Sequence, residues 1–131
     1  PHWFSAILKG GPVYITGDGE TSRDVCFIDN CVQASLVAAC SEDKDAWNQV
    51  YSMACGQRIT LNELFGLIRD EVTRHKPEAA GVKPHYRDFR AGDVRHSLAN
   101  IGKAERLLGY IAKFKVKDGL RLAGDWYANN L

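Results

Sequence analysis

The stretch Tyr86-Arg87-Asp88-Phe89-Arg90-Ala91-Gly92-Asp93-Val94-Arg95-His96 sets three arginines, two aspartates and a histidine around a single glycine. A core cannot take so many ionised groups, because each charge withdrawn from water needs its own compensating partner. The stretch is therefore a loop, and one better suited to an anion than to burial. A second polar loop, Gly17-Asp18-Gly19-Glu20-Thr21-Ser22-Arg23-Asp24, precedes it. Between the two, Gly56-Gln57-Arg58 leads into the best-signalled helix of the chain.

That helix starts at Thr60-Leu61-Asn62-Glu63, a capping-box spacing, with Ile59 and Leu64 placed as the hydrophobic staple. Leu61, Leu64, Phe65, Ile68 and Val72 recur at helical spacing, and Pro77 ends the element. Elsewhere Pro1 to Leu8 reads as a short helix stopped by Gly10-Gly11-Pro12, with Trp3, Phe4, Ile7 and Leu8 on one face. Val13 to Ile15 and Val25 to Ile28 read as short strands. Asp29 is placed to cap a helix running to about Cys40. Ser41 to Asp45 reads as loop, Gln49 to Met53 alternates like a strand, and Lys83 to Arg87 is a short strand before the charged loop. Asn100 begins a helix that Gly109 ends as a C′ glycine. Asp118 to Asn129 is the last, with Leu120, Ala123, Trp126 and Tyr127 inward.

With 17 Lys and Arg against 16 Asp and Glu, the net charge is +1. That balance gives no general electrostatic case for nucleic acid or an anionic membrane, so any anion site is local. The longest mostly apolar run, Cys31 to Cys40, is well short of the roughly 20 residues a membrane-spanning helix needs. Cys26, Cys31, Cys40 and Cys55 lack CxxC spacing, which argues against zinc and favours buried, reduced thiols and a cytoplasmic setting.

Three places carry possible binding chemistry, each with a plainer alternative. Arg58 stands at a helix N-terminus, whose free amides favour negative charge, but could equally make a surface ion pair with Glu63. Arg90 and Asp93, separated by Ala91-Gly92, could point the same way out of a tight turn or could pair with each other. Arg23 lies in a polar loop and either serves a ligand or pairs with Asp24 or Asp18. Arg87, Asp88, Arg95 and His96 read as groups that brace the loop.

These segments together resemble the C-terminal, nucleotide-sugar-binding part of the extended short-chain dehydrogenases, and within them the UDP-N-acetylglucosamine 4-epimerases of bacterial surface-polysaccharide synthesis. The resemblance runs from Pro1-His2-Trp3 through Tyr14-Ile15-Thr16-Gly17-Asp18-Gly19, Arg58-Ile59-Thr60-Leu61-Asn62-Glu63 and the Tyr86–His96 string to Leu107-Leu108-Gly109-Tyr110 and Trp126-Tyr127. It implies an α/β fold of short strands with about five helices, residues 1–131 forming the nucleotide-sugar-binding C-terminal domain without the N-terminal Rossmann domain.

The resemblance further implies a UDP-sugar ligand held by Trp3, Tyr14, Ile15, Thr16, Arg23, Arg58, Arg90 and Asp93, with the three arginines converging on the diphosphate and Asp93 taking a ribose hydroxyl. Tyr14 to Thr16 are expected beside the base, and Trp3 flanks that pocket or simply packs against Phe4 and Ile7. Cofactor, metal and catalytic residues are assigned to none of these positions. NAD belongs to the full-length parent, since the chain contains neither a GxGxxG turn nor a Tyr followed four residues on by Lys. The chain is thus expected to be a catalytically inert piece of a longer enzyme that self-associates through an exposed patch of Trp3, Phe4 and Ile7. The alternatives are the same part of a nucleotide-sugar dehydratase or decarboxylase, and a stand-alone nucleotide-sugar-binding or interaction module. Departures from the family pattern, at His2, Gln57, Asn100 and Ile111-Ala112, leave the arginines and Asp93 untouched but loosen any inference about the sugar.

Overall fold

The computed structural model describes residues 1–131 as an α/β chain of five helices and four short strands, in the order α1 (His2–Leu8), β1 (Val13–Thr16), β2 (Ser22–Arg23), α2 (Ile28–Ala39), β3 (Ile59–Thr60), α3 (Leu61–Thr73), β4 (Pro84–Arg87), α4 (Gly102–Leu108) and α5 (Val116–Asn130). The chain divides into two compact units. The first comprises Pro1–Arg23, Ile59–His96 and Leu120–Leu131; the second comprises Asp24–Arg58 and Ser97–Gly119.

The first unit is organised by α3. The Thr60 hydroxyl accepts the Glu63 backbone N–H at 3.1 Å, and the Glu63 carboxylate accepts the Thr60 N–H at 2.8 Å. This reciprocal pair satisfies amides that every helix start leaves open, and the Thr60 bonds hold the Glu63 carboxyl below its usual range. Thr60→Ala should therefore lower stability by about 1 kcal/mol, read as a shifted denaturant midpoint at unchanged slope.

Downstream of the cap, α3 buries Phe65, Ile68 and Val72 against Phe4 and Ile7 of α1 and Val13 and Ile15 of β1. The two longer strands pair in parallel, β1 with β4, in the register Val13↔Pro84 to Thr16↔Arg87. The two shortest, β2 and β3, pair antiparallel, Ser22 with Thr60 and Arg23 with Ile59. Helix α3 ends at Thr73, before Pro77, which opens a short 3-10 turn instead.

The expected exposed patch on α1 is not there. Phe4 and Ile7 are 2% and 1% exposed, Phe4 stacks on Tyr127 with ring centroids 4.8 Å apart, and half-buried Trp3 meets Phe65 edge-on at 6.2 Å. Three large apolar groups on one helix face are worth roughly 1.5–3 kcal/mol each when buried, and α3 and α5 supply the surface to bury them. Trp126, expected inward, is instead 60% exposed, while its neighbour Tyr127 takes the inner position.

The second unit has its own small core of Ala34, Ala46, Ala104, Leu108 and Tyr110. The Tyr110 ring is completely buried and its hydroxyl donates to the Ala54 carbonyl at 2.8 Å. Burial first, and the nearby Cys26 thiol second, raise the phenol well above its ordinary pKa. Buried Asn30 is fully used: its amide nitrogen donates to the Phe114 carbonyl at 2.7 Å and its oxygen accepts the Phe114 N–H at 3.1 Å. Gly109 closes α4 at φ 62°, the left-handed C-terminal cap its position predicts.

Several expectations fail in this unit. Val25 to Ile28 is not a strand; the pairing partner that a strand requires is taken by Ser22 and Arg23, and Ile28 starts α2. Asp29 lies in the first turn of α2 without capping it, the N-cap position being held by Phe27. Gln49 to Met53 alternates in polarity but has no neighbouring strand to bond, and residues 44–46 of the preceding loop form a 3-10 turn. All four cysteines are free, yet only Cys55 is buried; Cys26 and Cys31 are half-buried and Cys40 is exposed. No helix is long and apolar enough to cross a membrane.

Candidate functional site: the charged loops

In the first unit the two polar loops meet. Strand β1 runs into Gly17 and Gly19, both left-handed at φ 74° and 80°. Asn62, in the first turn of α3, holds this turn: its side-chain nitrogen donates to the Asp18 carbonyl at 3.1 Å and to Glu20 at 2.7 Å, its oxygen accepts the Tyr86 hydroxyl at 3.0 Å, and its backbone N–H donates to the Gly19 carbonyl at 3.0 Å. A methyl group on Gly19 would occupy the space of that amide.

The charged loop is then fastened by partners far away in sequence. Arg95 donates to Asp18 at 2.6 Å, its guanidinium lying 5.3 Å from the centre of the Phe89 ring. That bond, together with the Glu20 N–H, holds the Asp18 carboxyl below its usual range, and Asp18 raises the Arg95 pKa in turn. Ser22 and His96 share a hydrogen bond of 2.9 Å between Oγ and Nδ1. Arg87 stacks over Tyr14, 3.4 Å from the ring centre. The reading of Arg87, Arg95 and His96 as braces agrees with these contacts.

Arg23 pairs neither with Asp24 nor with Asp18. It donates to Asp93 at 2.7 Å across 70 residues of sequence, and to the carbonyls of Ser22 at 2.9 Å and Arg95 at 3.3 Å. The structure thus brings two expected site residues together, as a half-exposed ion pair on the loop. Because Arg23 holds Asp93, the alternative internal pair between Arg90 and Asp93 does not form. Arg90 stays exposed in a turn closed by the Asp93 N–H on its carbonyl at 3.2 Å, with no ion-pair partner.

Trp3 donates from its indole to the Tyr14 carbonyl at 3.2 Å, and Tyr14 is 42% exposed beside it. Ile15 points into the core and is 0% exposed, so only its backbone remains for any ligand; Thr16 is half-buried at the end of the strand.

Arg58 belongs to the second unit. It is exposed, and the surface pair with Glu63 is absent, since that carboxylate serves Thr60. Two residues before it lies a feature the sequence did not disclose: both oxygens of Asp24 accept backbone amides, Cys55 N–H on Oδ1 and Gly56 N–H on Oδ2, each at 2.9 Å. Cys55, Gly56 and Gln57 also line a cleft of about 610 Å³ together with Asn100, Ile101 and Lys115. Gly56 at φ 65° was the available signal, because a left-handed turn needs its amides fixed, but nothing local names the acceptor.

One further cluster could in principle ligate a metal. Glu71, His75 and Asp125 bring their donor atoms within 4.8 Å of one another. The Glu71 oxygen nearest the imidazole already carries the Arg74 guanidinium, and His75, just past the end of α3, lies 3.3 Å from Asp125 of α5, so the group reads as a brace between these two helices.

No protein-family model matches the chain. Individual proteins do. A UDP-glucose 4-epimerase-like protein of Methanocaldococcus jannaschii is 30% identical over 125 residues, which cover 95% of this chain and 37% of that protein. The structure of UDP-glucose 4-epimerase from Thermotoga maritima, solved with UDP-glucose, matches with a TM-score of 0.83 at 32% identity, over 98% of this chain and 38% of its own. UDP-sugar 4-epimerases thus stand among both the homologues and the structural neighbours of the chain.

Another such structure, UDP-N-acetylglucosamine 4-epimerase from Methanobrevibacter ruminantium in complex with UDP-N-acetylmuramic acid, matches with a TM-score of 0.79 at 30% identity, over 98% of this chain and 38% of that one. A dTDP-glucose 4,6-dehydratase of Xanthomonas campestris is 26% identical over 136 residues, covering 99% of this chain and 37% of the dehydratase. The chain therefore spans a little over a third of the length of these epimerases and of the dehydratase.

Proposed function

We propose that the chain is the UDP-sugar-binding, C-terminal portion of an NAD-dependent UDP-hexosamine 4-epimerase, with UDP-N-acetylglucosamine as the sugar nucleotide, acting in surface-polysaccharide synthesis in the cytoplasm. The observation that carries this reading is the loop bearing Arg90 and Asp93. It is locked by three long-range contacts, yet it leaves the Arg90 guanidinium and one Asp93 oxygen without a protein partner. An unpaired guanidinium on a fastened loop suits a diphosphate, because it can offer two parallel N–H bonds without first breaking an ion pair. The free Asp93 oxygen is an acceptor for a ribose hydroxyl.

In this reading Trp3, Tyr14 and the backbone of Ile15 and Thr16 border the base and Arg23 holds Asp93 in place; the second unit, taken by itself, offers Arg58 as an exposed phosphate-binding guanidinium. The dehydratase alternative shares the GDG loop, while the longer Tyr86–His96 string favours an epimerase.

NAD does not fit the residues present. The GxG turn, Gly17-Asp18-Gly19, leads into strand β2 instead of a helix N-terminus, and the spaces beside its two glycines are filled by Phe89 and Asn62.

Calorimetric titration of the chain with UDP, uridine and NAD tests the proposal. UDP should bind roughly 10- to 100-fold more tightly than uridine, the equivalent of one charge-assisted hydrogen bond of about 1.5–3 kcal/mol, and NAD should show no heat beyond dilution. Equal affinities for UDP and uridine would mean that the arginines do not hold the diphosphate.

A further inference from the structure

We infer that Asp24 is a positioning residue for phosphate capture, acting through Arg58; the inference rests on the nucleotide-binding reading above. Its carboxylate receives two consecutive backbone amides, Cys55 and Gly56, one on each oxygen at 2.9 Å. Successive N–H groups aimed at one point form an anion-binding concavity, and here the anion is the protein's own side chain. Cys55 is only 4% exposed, so water cannot readily replace the carboxylate there. A charged acceptor also makes each bond stronger than a neutral one.

The peptide so held is a left-handed turn. Gly56 sits at φ 65°, and a side chain on it would press on the Ile101 methyl group at 3.0 Å. Asp24 thus fixes the turn through its amides, and Ile101 leaves no room for a side chain at Gly56. Arg58 follows two residues later as an exposed guanidinium with no ion pair, and Gln57 between them lines the cleft of about 610 Å³. A tether this short transmits any displacement of the turn to the backbone of Arg58. With both oxygens occupied, Asp24 has no part in touching ligand; it sets where Arg58 stands.

Asparagine at this position is nearly isosteric, yet it keeps one acceptor and turns an NH₂ group against the other backbone N–H. Asp24→Asn should therefore lower the affinity of the chain for UDP about tenfold while leaving uridine affinity unchanged. Arg58→Ala should do the same. The decisive sample is the double variant: if Asp24 works through Arg58, Asp24→Asn adds nothing on the Arg58→Ala background. A merely structural carboxylate would give additive losses and would weaken uridine as well.

Asp24→Glu keeps both acceptors and serves as the second variant if the asparagine chain folds poorly. Across these chains, hydrogen-exchange protection of the Cys55 and Gly56 amides should rise and fall with the UDP-over-uridine preference. Additive losses in the double variant, an Asp24→Asn chain with wild-type preference, or protection that does not follow preference each overturn the assignment. A wild-type chain that binds UDP and uridine alike removes the nucleotide-binding reading itself, and that failure is seen before any Asp24 variant is made.

Discussion

Gly19→Ala is expected to cost about 3 kcal/mol of stability and to abolish tight UDP binding with it. Two effects add. A non-glycine residue held at φ 80° pays on the order of 1 kcal/mol in backbone strain. The new methyl group would also displace the Asn62 amide, which is no idle surface group: it bonds the Asp18 carbonyl, the Glu20 carboxylate and the Tyr86 hydroxyl. Each such bond contributes roughly 1 kcal/mol net. Once Asn62 moves, Asp18 is no longer held where Arg95 meets it, and the charged loop loses one of its three long-range fastenings. Denaturant unfolding of Gly19→Ala beside Asn62→Ala checks this. A glycine variant less than 1 kcal/mol below wild type would show that the turn relaxes around the methyl group.

Tyr110→Ala should cost about 3–5 kcal/mol, the range for deleting a buried aromatic ring, and should be the most damaging single change in the second unit. Four of the five residues buried in that core are smaller than the tyrosine, three of them alanines, so the hole is left to the half-buried side chains around it, which must give up their own contacts to fill it. Tyr110→Phe separates the ring from its hydroxyl. It keeps the packing and loses only the bond to the Ala54 carbonyl, for an expected 1–2 kcal/mol. Comparable losses for the two variants, measured by denaturant unfolding, would place the energy in the hydrogen bond and contradict the packing argument.

The sequence by itself determined the features whose physics closes within a few residues. The capping box at Thr60 and Glu63 is one, since both hydrogen bonds join positions three apart and no distant group need cooperate. Gly109 as a left-handed cap is another, and so is the exclusion of the Tyr86–His96 string from any core. The parallel strands β1 and β4 also lie close to where their composition placed them. Of the three loops expected to carry an anion site, two present an exposed, unpaired arginine, Arg58 and Arg90, while the third holds Arg23 half-buried against Asp93.

Only the tertiary structure decided the partners. Arg23 had two aspartates within five residues and chose a third, Asp93, 70 residues away, because the Ser22–His96 bridge and the Arg95–Asp18 bond bring the charged loop beside it. The segment from Val25 to Ile28 has strand-forming side chains, but a strand exists only when another backbone bonds it, and none is at hand there. Trp3, Phe4 and Ile7 had the look of an exposed patch until α3 and α5 covered them. Asp24 gave no local sign of its two amide bonds for the same reason. Ion pairs, strand ladders and core contacts depend on which distant segments the fold brings together, and that is set by the summed burial of both units, not by the residues on either side.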